Sequence, residues 1–177
     1  MVLIASDLVR AAAVVSLVVG TVVYGWVGAA LFFLVLGGTF VPRAVGARQW
    51  LDALYCATLI FGAWAAQLDW YLAVEWLDIA VHAAATGLIA AVAWRLLEVL
   101  GGVGDAPTSV TVIVTASMAT ALAAVWEILE WAGNRWIDSR IQVGYDDTVG
   151  DLAAGVAGAV VAGVVISLAR RRERVDR

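Results

Sequence analysis

The uncharged stretch of residues 11–41, which ends before Pro42, constrains the fold most strongly. A helix needs roughly 20 apolar residues to cross about 30 Å of hydrocarbon. As one helix these 31 residues would extend about 47 Å, too long for a single span. Gly25-Trp26-Val27-Gly28 offers a break. The stretch therefore predicts two helices, at about 8–23 and 27–41, with Pro42 ending the second.

The composition predicts a membrane protein. The chain of 177 residues is 63% apolar and 15% charged, whereas soluble domains have about 45–50% apolar and about 25% charged residues. Mean hydropathy is +0.92. Further helices are predicted at about 50–67, 76–100, 110–131 and 148–169, followed by a basic cytoplasmic tail at 170–177. We expect one all-α domain over residues 1–177, a transmembrane bundle of about six helices embedded in the lipid bilayer.

The arginines predict the topology, because positive charge accumulates in cytoplasmic loops. Six spans with both ends inside place nine arginines in the cytoplasm and leave Arg135 and Arg140 outside. We therefore expect a multi-pass plasma-membrane protein with cytoplasmic termini. The N-terminus lacks a basic region followed by a cleavage site, so it is interpreted as the first span and not as a signal peptide.

Several function classes are excluded by residue counts. One cysteine and one histidine exclude an internal disulfide and a zinc site built from two or three histidines of one chain. The net charge of −4 and a pI near 4.8 are not those of a basic, nucleic-acid-binding protein.

Acidic residues recur at the predicted outer ends of the last three helices. They form three pairs, each on one helix face: Asp78 with His82, Glu127 with Glu130, and Asp147 with Asp151. An ionisable group in hydrocarbon costs roughly 2.5–3.5 kcal/mol on insertion scales, so several at one depth indicate a site. Closely spaced carboxylates need a cation or shared protons. We predict a divalent metal ion of unspecified identity, bound by Asp78, His82, Glu127, Asp147 and Asp151, with Glu130 as general base.

Structural explanations exist for some of these residues. Asp147 could cap its helix, and Asp78 could favour the positive end of its own. Glu130 could be solvated among the headgroups. His82, Glu127 and Asp151 lie deeper, where only an interhelical hydrogen bond would be the alternative.

The motifs resemble the YjdF-like family of uncharacterised small polytopic membrane proteins. The resemblance rests on Asp78-x3-His82, on Glu127-x2-Glu130-Trp131, and on Asp147-x3-Asp151 before a Gly158-Ala159 helix. Ala83 and Gly144 stand where the family pattern has an aromatic residue and an aspartate. The resemblance implies a shared site at these positions and no established activity.

Two functions and one structural role follow from this pattern. The first is a metal-dependent enzyme acting on lipid or lipid-linked substrates at the outer leaflet. The second is a cation or proton-coupled transporter, although the inner halves of the last three helices carry no matching acids. The third is a membrane scaffold without catalysis. The stripe Gly155, Ala159 and Gly163 predicts close helix packing, either within the chain or in a homo-oligomer.

Overall fold

The computed structural model describes residues 5–103 and 105–175, and every regular element in them is a helix. The elements are α1 (Ala5–Thr39), α2 (Val41–Ala44), α3 (Gln49–Gln67), α4 (Trp70–Ala73), α5 (Glu75–Val99), α6 (Thr108–Trp136) and α7 (Tyr145–Val175). Because α1 is interrupted at Gly25, these residues form six long helical segments and two short ones. The predicted all-α membrane fold with about six helices is confirmed.

The interruption at Gly25 turns α1 into a helical hairpin. Gly25 has φ 65° and ψ −145°, a backbone conformation that only glycine adopts readily. It lies within the four-residue stretch where the sequence predicts a break. The two halves then meet closely, since a Cβ built on Gly28 would lie 2.8 Å from the carbonyl carbon of Gly20.

Within the described part of the chain, four segments are long and apolar enough to cross a membrane: Ser6–Ala44, which contains both halves of the hairpin, Glu75–Val99, Thr108–Trp136 and Tyr145–Arg172. The helix α3 is shorter and carries Gln49, Asp52 and Gln67, which lower its hydropathy. The placement of both termini in the cytoplasm stays a prediction.

The chain divides into two compact units, residues 1–81 and 82–177, with the division falling inside α5. The first unit has an aromatic core in which Phe32 is fully buried beside Val35 and Ala63. Its ring lies 4.8 Å from that of Trp64, whose indole N–H donates to Ser16 Oγ at 2.9 Å. The description of the chain as one domain stays a prediction.

A buried ion pair closes the other end of the first unit. Arg10 and Asp52 are 6% and 2% exposed, and the guanidinium donates to an Asp52 oxygen at 2.5 Å. Arg10 also donates twice to the carbonyl oxygen of Thr39, at 3.0 and 2.9 Å, and Ser6 Oγ donates to Asp52 at 2.6 Å. This cluster ties both ends of the α1 hairpin to α3.

The second unit packs α5, α6 and α7 around small residues. Ala90, Ala119 and Ala159, one from each helix, are fully buried in one cluster. A Cβ on Gly163 would lie 2.8 Å from Val112 Cα on α6. The small-residue stripe of α7 therefore packs against helices of the same chain, and the homo-oligomer stays a prediction.

Both α6 and α7 are longer than the apolar pattern predicts. The former continues to Trp136, where Asn134 Nδ2 donates to the carbonyl oxygens of Ser139 and Ile141 at 3.2 and 2.6 Å. The latter begins at Tyr145 and continues to Val175 through the predicted tail. Arginine and glutamate are good helix formers, so the helix outlasts the apolar segment.

Candidate metal centre

The alanine cluster fixes the level of the deep polar residues along the second unit. His82 precedes Ala90 by eight residues, Asp151 precedes Ala159 by eight, and Glu127 follows Ala119 by eight. Because α6 runs opposite to α5 and α7, all three offsets point towards the same end. Each corresponds to about 12 Å of helix. By this register, His82, Glu127 and Asp151 lie in one layer of the second unit.

A seam between α5 and α7 brings two of these residues together. The helices run parallel, and the same register pairs His82 with Asp151 and Thr86 with Gly155, one turn apart. The backbones approach closely in the next turn, where a Cβ on Gly87 would lie 2.9 Å from Gly158 O. Only glycine permits this approach, so these glycines set the separation of the polar pair.

The polar pair lies within reach of a third ligand. His82 Nε2 is 3.8 Å from Asp151 Oδ2, and Asp78 precedes His82 by one turn of the same helix. One ligand atom from each of Asp78, His82 and Asp151 lies within 4.8 Å of the other two. Asp151 is 4% exposed, whereas Asp78 and His82 are half-buried.

The separation between His82 and Asp151 is compatible with two ligands of one divalent cation. Two ligands of a tetrahedral ion lie about 3.4 Å apart when both bonds are about 2.1 Å. In an octahedral site the separations are about 3.0 and about 4.2 Å. The 3.8 Å between His82 and Asp151 lies within this range. Two carboxylates and an imidazole are a donor set suited to Mn²⁺, Fe²⁺ or Zn²⁺.

The other predicted site residues have different surroundings. Glu127 is buried, with 9% of its surface exposed, and Glu130 is half-buried one turn later on α6. Asp147 is exposed in the first turn of α7, where a carboxylate favours the positive end of the helix. Among the described residues, the set of three ligand atoms within 4.8 Å contains none of these acids.

The link after α6 carries a separate ion pair. Arg140 donates to both carboxylate oxygens of Asp138, and its backbone N–H donates at 2.9 Å. The side-chain hydrogen bond from Arg140, followed by the backbone one, lowers the pKa of Asp138 from 3.8 to about 2. This half-buried carboxylate is therefore paired with a neighbour in the same link.

The sequence did not predict the contact between α5 and α7 that positions His82 beside Asp151. Thr86 is buried against Gly155, and a Cβ on Gly158 would lie 2.8 Å from the Ala83 carbonyl carbon. The glycine stripe of α7 was recognised as a packing surface, but its partner helix was not. Ala83, which stands where the family pattern has an aromatic residue, follows His82 directly and supplies part of this contact.

A family model described as "Predicted membrane protein (DUF2238)" matches residues 1–172. The chain belongs to this family. The YjdF-like proteins, which the polar motifs resemble, are the same family. Comparison with curated proteins and with solved structures gave no match. DUF2238 membership thus supports a membrane protein built from apolar helices, and the polar cluster carries any argument about function.

Proposed function

We propose that this DUF2238 protein is a metal-dependent membrane enzyme that binds a divalent cation through Asp78, His82 and Asp151. The observation that carries the proposal is the convergence of three ligand atoms within 4.8 Å of one another. A carboxylate that is 4% exposed in an apolar helix is costly to maintain unless its charge is compensated. A divalent cation compensates both carboxylates at once.

The chain's own residues have distinct roles in this proposal. Asp151 is the buried anchor, and His82 presents Nε2 towards it. Asp78 lies one turn nearer the start of α5, is half-buried and supplies the third ligand. Glu127 occupies the same layer on α6 and is proposed as a further ligand, and Asp147 as a ligand that joins from the exposed start of α7.

The substrate class follows from what surrounds the polar layer. Ile128, Leu129 and Val149 flank the acids in sequence and are 60%, 48% and 47% exposed. Such side chains face hydrocarbon in a bilayer. A polar layer bordered by apolar surface suits the head group of a lipid or a lipid-linked molecule.

The bound cation would polarise a phosphoryl or carbonyl oxygen of the substrate. Glu130 lies one turn beyond Glu127 and is half-buried. As general base it would take a proton from the attacking water while the water oxygen bonds to the phosphorus or carbonyl carbon, and that proton would pass to the departing oxygen as its bond breaks. The proposed site acids all lie at one end of α5, α6 and α7. The site would therefore be reached from one face of the membrane, which suits an enzyme that modifies lipid head groups.

One observation favours a second candidate. The 3.8 Å between His82 Nε2 and Asp151 Oδ2 is also the separation of an ion pair when the imidazole is protonated. Proton sharing between them would suit a proton-coupled transporter, or a structural network that only fixes the register of α5 and α7.

The first experiment measures metal content by mass spectrometry on protein purified in detergent, stripped with chelator and reloaded. We expect one divalent ion per chain in the wild type, and loss of the ion in Asp151→Asn and His82→Ala. Glu98→Gln is the matched control, since Glu98 is a half-buried acid at the other end of α5. Folding is monitored in parallel by tryptophan fluorescence.

The variants Glu127→Gln and Glu130→Gln distinguish a residue that binds the metal from one that acts as general base. If Glu127 binds the cation, its variant loses metal, whereas Glu130→Gln keeps metal and loses metal-dependent turnover of lipid substrates. A wild-type protein that binds no divalent ion after reloading refutes the metalloenzyme and leaves proton sharing as the next hypothesis.

A further inference from the structure

We propose that the end of α7 is a binding surface for anionic phospholipid headgroups, formed by Arg171 and Arg172 and steadied by Arg170. This inference is independent of the metal site, which lies at the opposite end of the second unit. It starts from the length of the apolar segment in α7.

Eighteen residues separate Asp151 from Arg170 on α7, and none of them is charged. As a helix they extend about 27 Å, close to the roughly 30 Å of hydrocarbon in a bilayer. The helix continues without interruption to Val175. The three consecutive arginines therefore begin where the hydrocarbon ends, at the depth of the lipid phosphates.

Arg170 is held against α5. Its guanidinium lies 5.2 Å from the ring centroid of Trp94 and its Nε 3.9 Å from Glu98 Oε1. Trp94 is 2% exposed, so the cation lies on a buried ring, an arrangement that stabilises arginine beyond its charge alone. This contact fixes the rotation of α7 at its end.

With Arg170 turned inward, Arg171 and Arg172 are exposed. Glu98 is already engaged by Trp94 Nε1 at 2.9 Å and by Arg95 at 3.2 Å. Farther along the sequence Glu173 and Asp176 balance Arg174 and Arg177. Arg171 and Arg172 consequently add two exposed positive charges at this end of α7.

Charge complementarity selects the ligand. Guanidinium groups donate in a planar fork that matches phosphate oxygens, and basic residues at the membrane boundary attract anionic lipids. The position at the hydrocarbon boundary favours a lipid headgroup over a soluble anion. Single-stranded RNA is the alternative macromolecule, and its binding is an outcome of the test.

The test uses full-length protein reconstituted in phosphatidylcholine vesicles containing trace spin-labelled phosphatidylglycerol or spin-labelled phosphatidylcholine. The motionally restricted fraction of each label gives the ratio of their association constants at the protein surface. One arginine contributes about a fivefold factor near an anionic surface. We expect the preference for phosphatidylglycerol to fall at least about fivefold in Arg171→Gln/Arg172→Gln.

The matched control is Arg135→Gln/Arg140→Gln, which removes two arginines from the other end of the same unit. It should keep the preference, and in wild type the preference should decline in 0.5 M NaCl because salt screens exposed charges. Three results would overturn the proposal: no preference in wild type, an equal loss in the control, or displacement of the labelled lipid by a short RNA that binds the same arginines.

Discussion

The close approach of α5 and α7 makes Gly158 the most informative single position in the second unit. A Cβ added there would lie 2.8 Å from the carbonyl carbon of Ala83 and 3.1 Å from its Cα. Because carbon atoms prefer separations of about 3.5–4.0 Å, Gly158→Ala must push the two backbones apart by roughly 1 Å. No side-chain rotation relieves a contact between two main chains.

Two opposing terms set the size of the effect. Overpacking costs about 1–3 kcal/mol, while alanine favours a helix over glycine by about 0.5–1 kcal/mol. We expect Gly158→Ala to lower the free energy of unfolding by about 1–2 kcal/mol. Reversible unfolding in mixed micelles of increasing SDS fraction, followed by tryptophan fluorescence, measures it.

Gly37→Ala is the matched control. Gly37 lies in the second half of the α1 hairpin, and a Cβ there meets nothing within 4 Å. That variant should be as stable as the wild type or slightly more so. If Gly158→Ala is equally well tolerated, the backbones of α5 and α7 are not in contact and the argument from this seam fails.

The same change reports on the proposed metal site. Ala83 follows His82 directly, so widening the seam lengthens the 3.8 Å between His82 and Asp151. Misplaced supporting groups typically reduce metal affinity by about 10–100-fold. A variant that is destabilised but keeps full metal affinity would place the cation elsewhere.

Three further predictions concern the first unit and the links. Asp52→Ala should destabilise the protein by up to about 3–5 kcal/mol, because it leaves buried Arg10 with only the ion pair to Asp7 at 3.2 Å, and Asp52→Ala/Arg10→Met should recover part of that loss in the same SDS titration. Replacing Gly25 by Ala should cost about 1–3 kcal/mol, because its φ of 65° and ψ of −145° lie in a region that is nearly restricted to glycine; equal stability in that titration would contradict the hairpin turn. The pKa of Asp138 is about 2 because Arg140 donates to it, so its stabilising effect is complete above about pH 4 and is lost only between about pH 4 and pH 2. Accordingly, Asp138→Asn should leave the pH dependence of melting between pH 5 and 8 unchanged, and a changed profile there would contradict this assignment.

The sequence predicted the membrane fold because its strongest signals are local. Runs of uncharged residues mark spans, and Gly25 interrupts α1 inside the stretch where one helix would be too long. The ends of α6 and α7 were predicted less accurately. Helix α7 continues to Val175. Hydrophobicity predicts only the part of a helix that lies in the bilayer, and arginine, a good helix former, prolongs the helix beyond it.

The candidate site was predictable in part, because the position of each acid within its predicted span indicates its depth in the membrane. That reasoning placed His82, Glu127 and Asp151 in one layer. It could not identify which side chains converge, because convergence depends on the register between helices. The approach of Gly87 to Gly158 sets that register, and a small residue in one helix does not reveal its partner in another.

The buried pair Arg10–Asp52 shows that an arginine interpreted as a sign of membrane topology can instead form a buried ion pair. Arg10 was interpreted only as one of nine cytoplasmic charges, an interpretation that needs no partner. In the structure it is 6% exposed and binds Thr39 O and Asp52, residues 29 and 42 positions away. A charged residue near the end of a span can be either solvated or paired with another side chain. Which of the two occurs for Arg10 depends on how the α1 hairpin packs against α3. Since a buried pair binds through partners distant in sequence, periodicity along one helix carries no information about it.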